Sequence, residues 1–139
     1  MKHLLALGTA LVVALAGLQP LIENDFGQPQ IGAVSGKVPV LDSVKVVDFG
    51  KVIYEGRMDV NPTLNRIRKG EKLKHRNDGS IFRNREKLLP LRDDRDFYRE
   101  FVHAMKNMPF PGPQRIVIGK NGAVFYTGDH YKSFVRVNP

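Results

Sequence analysis

The stretch Gln114-Arg115-Ile116-Val117-Ile118-Gly119-Lys120-Asn121-Gly122-Ala123-Val124-Phe125-Tyr126-Thr127 decides the fold class. Gln114–Gly119 and Ala123–Thr127 are short runs rich in Val, Ile, Phe and Tyr, the residues that suit a pleated, half-buried surface. Between them stands Asn121-Gly122, the strongest short-range hairpin signal, because both central positions of a two-residue turn need positive φ. Two similar runs flank this pair, Phe97–His103 before it and Ser133–Val137 after it. Asp78-Gly79 marks a further turn just ahead of Ile81-Phe82. Antiparallel sheet is therefore expected through the last third of the chain.

Upstream the pattern changes. Asn61 is placed to cap a short helix over residues 62–69, Pro62 suits its first position, and Gly70 suits the position just past its end. Leu64 and Ile67 are three apart and share its buried face. Val44–Tyr54 is again β-branched and aromatic, interrupted by Gly50, and reads as a strand pair or as one strand on the domain edge. A helix followed by a run of strands predicts an α+β domain, a short helix packed on a twisted antiparallel sheet of four to five strands.

The chain has 139 residues, which fits one domain, and 42% of them are apolar, near the globular average. Cysteine is absent, excluding a disulfide scaffold, a thiol nucleophile and Cys-ligated metal sites. Lys2 and His3 precede the apolar run Leu4–Leu18, and Ala14-Leu15-Ala16 has the small-x-small pattern of a cleavage site. Residues 1–16 thus read as a signal peptide, residues 17–57 as a lead-in or pro-segment with an edge strand, and residues 58–139 as the working domain. The expected location is secreted or periplasmic, without stable membrane association after cleavage.

The net charge is +8, from 22 Lys and Arg against 14 Asp and Glu. Ten Lys or Arg and only three acids (Glu71, Asp78, Glu86) fall between Arg66 and Arg92, so nearly all the excess lies in one segment. A polyanion is the natural partner of such a segment. One reading is a non-catalytic exported protein that binds nucleic acid or an anionic surface. A second adds chemistry. Glu100 alternates onto one strand face with Tyr98 and Val102, Arg115 opens the next strand, and Asp129-His130-Tyr131 fills the last loop. A carboxylate, a guanidinium and an imidazole on one face suit phosphodiester cleavage: one group removes a proton, one returns it, and one offsets charge on phosphate. Neither metal nor cofactor is required. His75 in the basic stretch and His103, of opposite parity to Glu100, are poorer candidates.

Four blocks carry a family resemblance. Asn77-Asp78-Gly79-Ser80-Ile81-Phe82-Arg83-Asn84-Arg85-Glu86-Lys87-Leu88-Leu89-Pro90 is similar to the guanine-recognition segment of barnase-like microbial ribonucleases. Tyr98-Arg99-Glu100-Phe101 resembles their general-base strand, Gln114–Gly119 their arginine strand, and Tyr126–Phe134 their catalytic-histidine loop. The blocks occur in family order. The resemblance implies Glu100 as general base, His130 as general acid and Arg115 on the phosphate, with Arg85 assisting. It implies Phe82, Arg83, Asn84, Arg85 and Glu86 as the guanine-reading loop, and Tyr131 stacking on the base. It further implies a monomer acting on single-stranded RNA through a 2′,3′-cyclic phosphate, and an acidic barstar-like inhibitor where the enzyme serves as a toxin. One departure stands out: where the family often has a second arginine, four residues before Arg115, this chain has Pro111. Lys106 is one candidate to replace it. Arg66, Arg68, Lys72 and Lys74 are substitutes for the family's auxiliary lysine.

Overall fold

The computed structural model describes residues 39–108 and 111–137. The signal peptide and most of the expected lead-in lie outside the described residues, as do Pro109 and Phe110. Seven strands and one helix follow in the order β1 (Val40–Asp48), β2 (Lys51–Asp59), α1 (Asn61–Arg68), β3 (Ser80–Phe82), β4 (Tyr98–Val102), β5 (Arg115–Gly119), β6 (Val124–Thr127) and β7 (Val135–Arg136). β3 to β7 form one antiparallel meander in chain order, and β1–β2 form a separate hairpin. This is the α+β architecture the pattern predicts, with five strands in the main sheet.

β5 lies at the centre of that sheet, and all five of its residues are buried. Period-two alternation divides its side chains between two clusters. Ile116 and Ile118 join Phe101, Val124 and Tyr126 under Leu64 and Ile67 of α1. Val117 joins Leu89, Tyr98, Ala123 and Phe125 on the opposite face. Glu100 and Arg115 share that second face by alternation with Tyr98 and Val117, while His103 falls on the helix side.

Three local expectations need correction. First, Asn61 does not cap α1; Val60 holds the cap position, with no side-chain cap bond. The carboxylate of Asp59 reaches forward instead, accepting from the Asn61 backbone N–H at 2.9 Å and its side-chain amide at 2.8 Å. Second, the β5–β6 turn is not a two-residue turn with two positive φ values. Gly122 has φ +82 and Asn121 does not have positive φ. Gly122 N–H donates to Gly119 O and Gly119 N–H to Ala123 O, giving a three-residue loop that closes on a left-handed glycine. Third, the expected Val44–Tyr54 region is the strand pair of its two readings but longer, β1 and β2 running from Val40 to Asp59, with Val44 and Val46 buried. Its tip, Phe49-Gly50, has positive φ at both residues (46° and 76°).

Buried polar groups tie the layers together. Asp78 accepts from Arg66 Nη1 and Nη2 at 2.7 and 2.8 Å, from Leu73 N–H at 2.8 Å and from Val102 N–H at 2.9 Å. Burial alone would push its pKa up, but the Arg66 fork and the two backbone donors outweigh it and hold the carboxyl below its usual value. On the helix side, His103 is 5% exposed, with Nδ1 2.7 Å from Thr63 Oγ1.

Burial pushes His103 down to about 4, the neighbouring Arg66 charge adding to this and Asp59 opposing it. An unfolded histidine takes up a proton near pH ~6.5, whereas the folded one stays neutral until about 4, so stability falls as pH drops through that window. We expect urea unfolding at pH ~4.5 to show a loss approaching ~3 kcal/mol relative to pH ~7, an order-of-magnitude figure. His103→Gln should flatten that loss. An equal loss in the variant would assign the acid sensitivity elsewhere.

Candidate active site

The turn at Asp78-Gly79, where Gly79 has φ +84, delivers β3 alongside β4 so that Ser80 stands directly opposite Glu100. Ser80 Oγ donates to Glu100 Oε1 at 3.1 Å, and the Tyr131 hydroxyl donates a short hydrogen bond to Glu100 Oε2. Glu100 is 8% exposed, so both carboxylate oxygens are held in a largely dry setting. The Tyr131 hydroxyl titrates above its ordinary value, first because it is buried and then because it bonds the Glu100 carboxylate, while the Arg115 charge pulls the other way. Tyr131 is thus within electrostatic reach of both Glu100 and Arg115.

Arg115 is 6% exposed and donates from Nη1 to the carbonyls of Gly112 and Gln114 at 2.8 and 2.7 Å. Its Nε is buried, with no partner among the described residues. His130 lies at the rim, exposed, with Nε2 3.3 Å from Gly112 O and its backbone N–H on Pro113 O at 3.2 Å.

His130 and Tyr131 both have positive φ, 53° and 68°. Two consecutive non-glycine residues in that region are strained by of order 1–3 kcal/mol each and persist only when their surroundings fix them. Asp129 does the fixing. Its carboxylate accepts from the backbone N–H groups of Lys132 and Ser133 and from the Ser133 and Thr127 hydroxyls. Burial acts to raise the Asp129 pKa, but the bonds from Ser133, Thr127 and Lys132 outweigh it and leave the group lowered.

The segment 82–86 forms one wall of an open cleft of about 400 Å³, lined also by Asn77, Glu100 and Tyr131. Asn84, at φ +48, clamps the wall: its amide donates to Leu89 O at 2.9 Å and its carbonyl accepts from Leu89 N–H at 3.0 Å. Arg83, Arg85 and Glu86 are exposed along it. The Phe82 ring stacks on Tyr131 at 5.4 Å and 25°, so two aromatic faces close one end of the cleft.

Phe82, Arg83, Asn84, Arg85, Glu86, Glu100 and Tyr131 line one cleft, and Arg115 and His130 both meet the Gly112 carbonyl. Other expectations separate from the site. Lys106 lines a different cavity, on the helix side with His103 and Arg66, and not the cleft that holds Glu100. Arg66 is committed to Asp78. Of the four substitutes for the auxiliary lysine, Lys72 lies over Gly79 together with Phe101 of the helix-side cluster, its ammonium 3.7 Å from where a Cβ on Gly79 would stand, and is not among the residues lining the cleft. Ser80 and Asp129 were missed. Ser80 bonds Glu100 only because of the β3–β4 register, and no sequence signal fixes that register. Asp129 left a signal, an acid just before Ser133 that suits a side-chain-closed turn.

Fold and site together define a small α+β nuclease. Residues 57–138 match the ribonuclease family, and the chain belongs to it, among the barnase-like microbial ribonucleases. It is an endoribonuclease. Guanyl-specific ribonuclease Sa3 of Kitasatospora aureofaciens is 37% identical over 98 residues, which is 69% of this chain and 67% of that protein. Guanyl-specific ribonuclease St of Saccharopolyspora erythraea is 36% identical over 76 residues, 55% of this chain and 74% of that protein. Among solved structures, ribonuclease Sa2 with guanosine-2′-cyclophosphate is 31% identical, with a TM-score of 0.52 over 58% of this chain and 85% of that one.

Asp129→Ala releases the loop that holds His130 and Tyr131. We expect kcat for RNA cleavage to fall about 10- to 100-fold with KM changed far less, a positional loss of the kind expected when a reacting group is displaced by ~1 Å. Unchanged kcat would show that the loop holds its shape without the carboxylate.

Proposed function

We propose that this protein is an exported endoribonuclease that cleaves single-stranded RNA after guanosine by transesterification, without a metal or cofactor. The observation that carries this reading is the single cleft shared by Glu100, Tyr131 and the 82–86 loop. Glu100 takes the proton of the ribose 2′-hydroxyl, and that oxygen attacks the adjacent phosphorus. His130, protonated, gives its proton to the departing 5′-oxygen. The charge of Arg115, which acts on Tyr131 beside Glu100, supports a role against the developing charge on phosphate. The resulting 2′,3′-cyclic phosphate is then hydrolysed with the two roles exchanged: His130 activates water and Glu100 protonates the 2′-oxygen as it leaves. DNA, lacking the 2′-hydroxyl, is not a substrate.

Guanine is read by the 82–86 wall. Backbone N–H groups meet O6 and N7, and the Glu86 carboxylate accepts from N1–H and the exocyclic amine. Adenine presents a donor where guanine presents O6, so the same wall rejects it. The guanyl-specific names of the relatives support this choice. The +7 segment 66–92 steers RNA toward that wall. Export rests on the pattern of residues 1–16, and a producer using the enzyme as a toxin would need an acidic barstar-like inhibitor.

The direct test is cleavage of GpU against ApU in EDTA. We expect guanosine 2′,3′-cyclic phosphate as the early product and a strong preference for GpU; salt-steep binding without cleavage would overturn the reading in favour of a nucleic-acid-binding role. Glu100→Ala and His130→Ala should each lower kcat by at least ~10²-fold, the scale of positioned acid–base catalysis. Glu86→Gln should lower discrimination against ApU more than it lowers the rate on GpU.

A further inference from the structure

The hairpin β1–β2 lies almost wholly outside residues 57–138, the part of the chain that matches the ribonuclease family. It is nevertheless built onto the loop that carries His130. Val47 N–H donates to Gly128 O at 2.8 Å. A Cβ on Gly128 would stand 2.6 Å from Lys45 O and 2.9 Å from Tyr126 Oη, so the approach of β1 depends on glycine there. Gly128 is two residues from His130 in sequence. Phe49, at the hairpin tip, is two residues beyond Val47 in sequence.

The tip is unusual in two independent ways. Phe49 is 96% exposed, with Val52 and Ile53 beside it at 53% and 43%. It also occupies a turn position with φ +46, where Asn, Asp or Gly is favoured and a bulky side chain is strained. Neither property helps the protein fold. A strained, solvent-facing aromatic is explained when its ring is used on a partner.

We propose that Phe49 is a stacking platform for a base one to three nucleotides downstream of the cleaved phosphate, a subsite added to the ribonuclease by the hairpin. The inference rests on the proposed reaction, in which His130 protonates the departing 5′-oxygen and so marks the side from which the downstream strand leaves. Continuity selects RNA as the occupant: the hairpin is bonded to the His130 loop. Residues 40–59 hold Lys45, Lys51 and Arg57 against Asp42, Asp48, Glu55 and Asp59, a net −1, so the hairpin offers a polyanion no electrostatic hold and the contact rests on the ring face. Stacking needs only a ring face and tolerates any base. The phosphates between are met by the exposed His130 and Lys132.

The test compares kcat/KM on GpU, GpUpU and GpUpUpU for the wild type and Phe49→Asn, each enzyme's longer substrates being scaled to its own GpU. Asn suits positive φ, so the variant should unfold at a temperature no lower than the wild type. The wild type should gain about tenfold with length, equivalent to about 1.4 kcal/mol, and Phe49→Asn should lose most of that gain, while Phe49→Tyr keeps it. A wild type indifferent to length, or a variant that gains as the wild type does, overturns the proposal. Loss of binding to phosphatidylserine vesicles in the variant, with its length gain intact, would overturn it by assigning the tip to a membrane. Failure of the wild type to cleave GpU at all would instead sink the underlying reaction.

Discussion

The buried carboxylate of Asp78 is the constraint on which the site depends. With Arg66, Leu73 N–H and Val102 N–H it joins α1, the basic loop and the end of β4 at one point. That junction sets the turn at Gly79, whose N–H donates to Glu100 O at 2.7 Å. Ser80 then falls opposite Glu100, and the segment beyond β3 becomes the wall of the cleft. Removing one partner of a buried, hydrogen-bonded ion pair typically costs about 3–5 kcal/mol because the other charge is stranded. Here the same loss would also unseat Glu100, the proposed general base, so stability and the proposed chemistry share one junction.

Around that junction the chain concentrates its strain where the substrate would lie. Asn84, Lys87, His130 and Tyr131 have positive φ, and each belongs to the recognition segment or to the loop across from it. Side-chain-to-backbone hydrogen bonds hold the two loops. Asn84 closes on Leu89, and Asp129 closes on Lys132 and Ser133. Loops fixed this way present their side chains without waiting for substrate to order them, which preserves binding free energy for the transition state. Phe49 is the one other non-glycine residue of this kind among the described residues.

The sequence made much of this legible, because its strongest signals are local. Alternation placed Glu100 with Tyr98 and set His103 on the other face. Leu64 and Ile67 marked the buried side of α1, and four ordered blocks brought the cleft residues together. What stayed hidden depends on register or on competition between neighbours. Asn61 looked like a helix cap, but the cap position falls one residue earlier, on Val60, and Asn61 is held by its N–H and side-chain amide on the Asp59 carboxylate. Asn121-Gly122 looked like a two-residue turn, but the chain closed one residue wider, with only its glycine left-handed. The hairpin's extent was missed because its register shifts between Val46 and Val47, and its docking on Gly128 is a contact between segments 81 residues apart. Lys106 was a plausible substitute by spacing alone, yet it falls on the helix side of the sheet.

The central claim is that Glu100 turns the ribose 2′-oxygen of guanosine into the nucleophile. Phosphorus NMR of a GpU digest followed in time tests it most directly. The account predicts that the diester signal is replaced first by guanosine 2′,3′-cyclic phosphate and only later by guanosine 3′-phosphate, while a 2′-deoxyguanosine dinucleotide stays intact. Cleavage of the deoxy substrate, or direct release of a uridine 5′-phosphate, would contradict it.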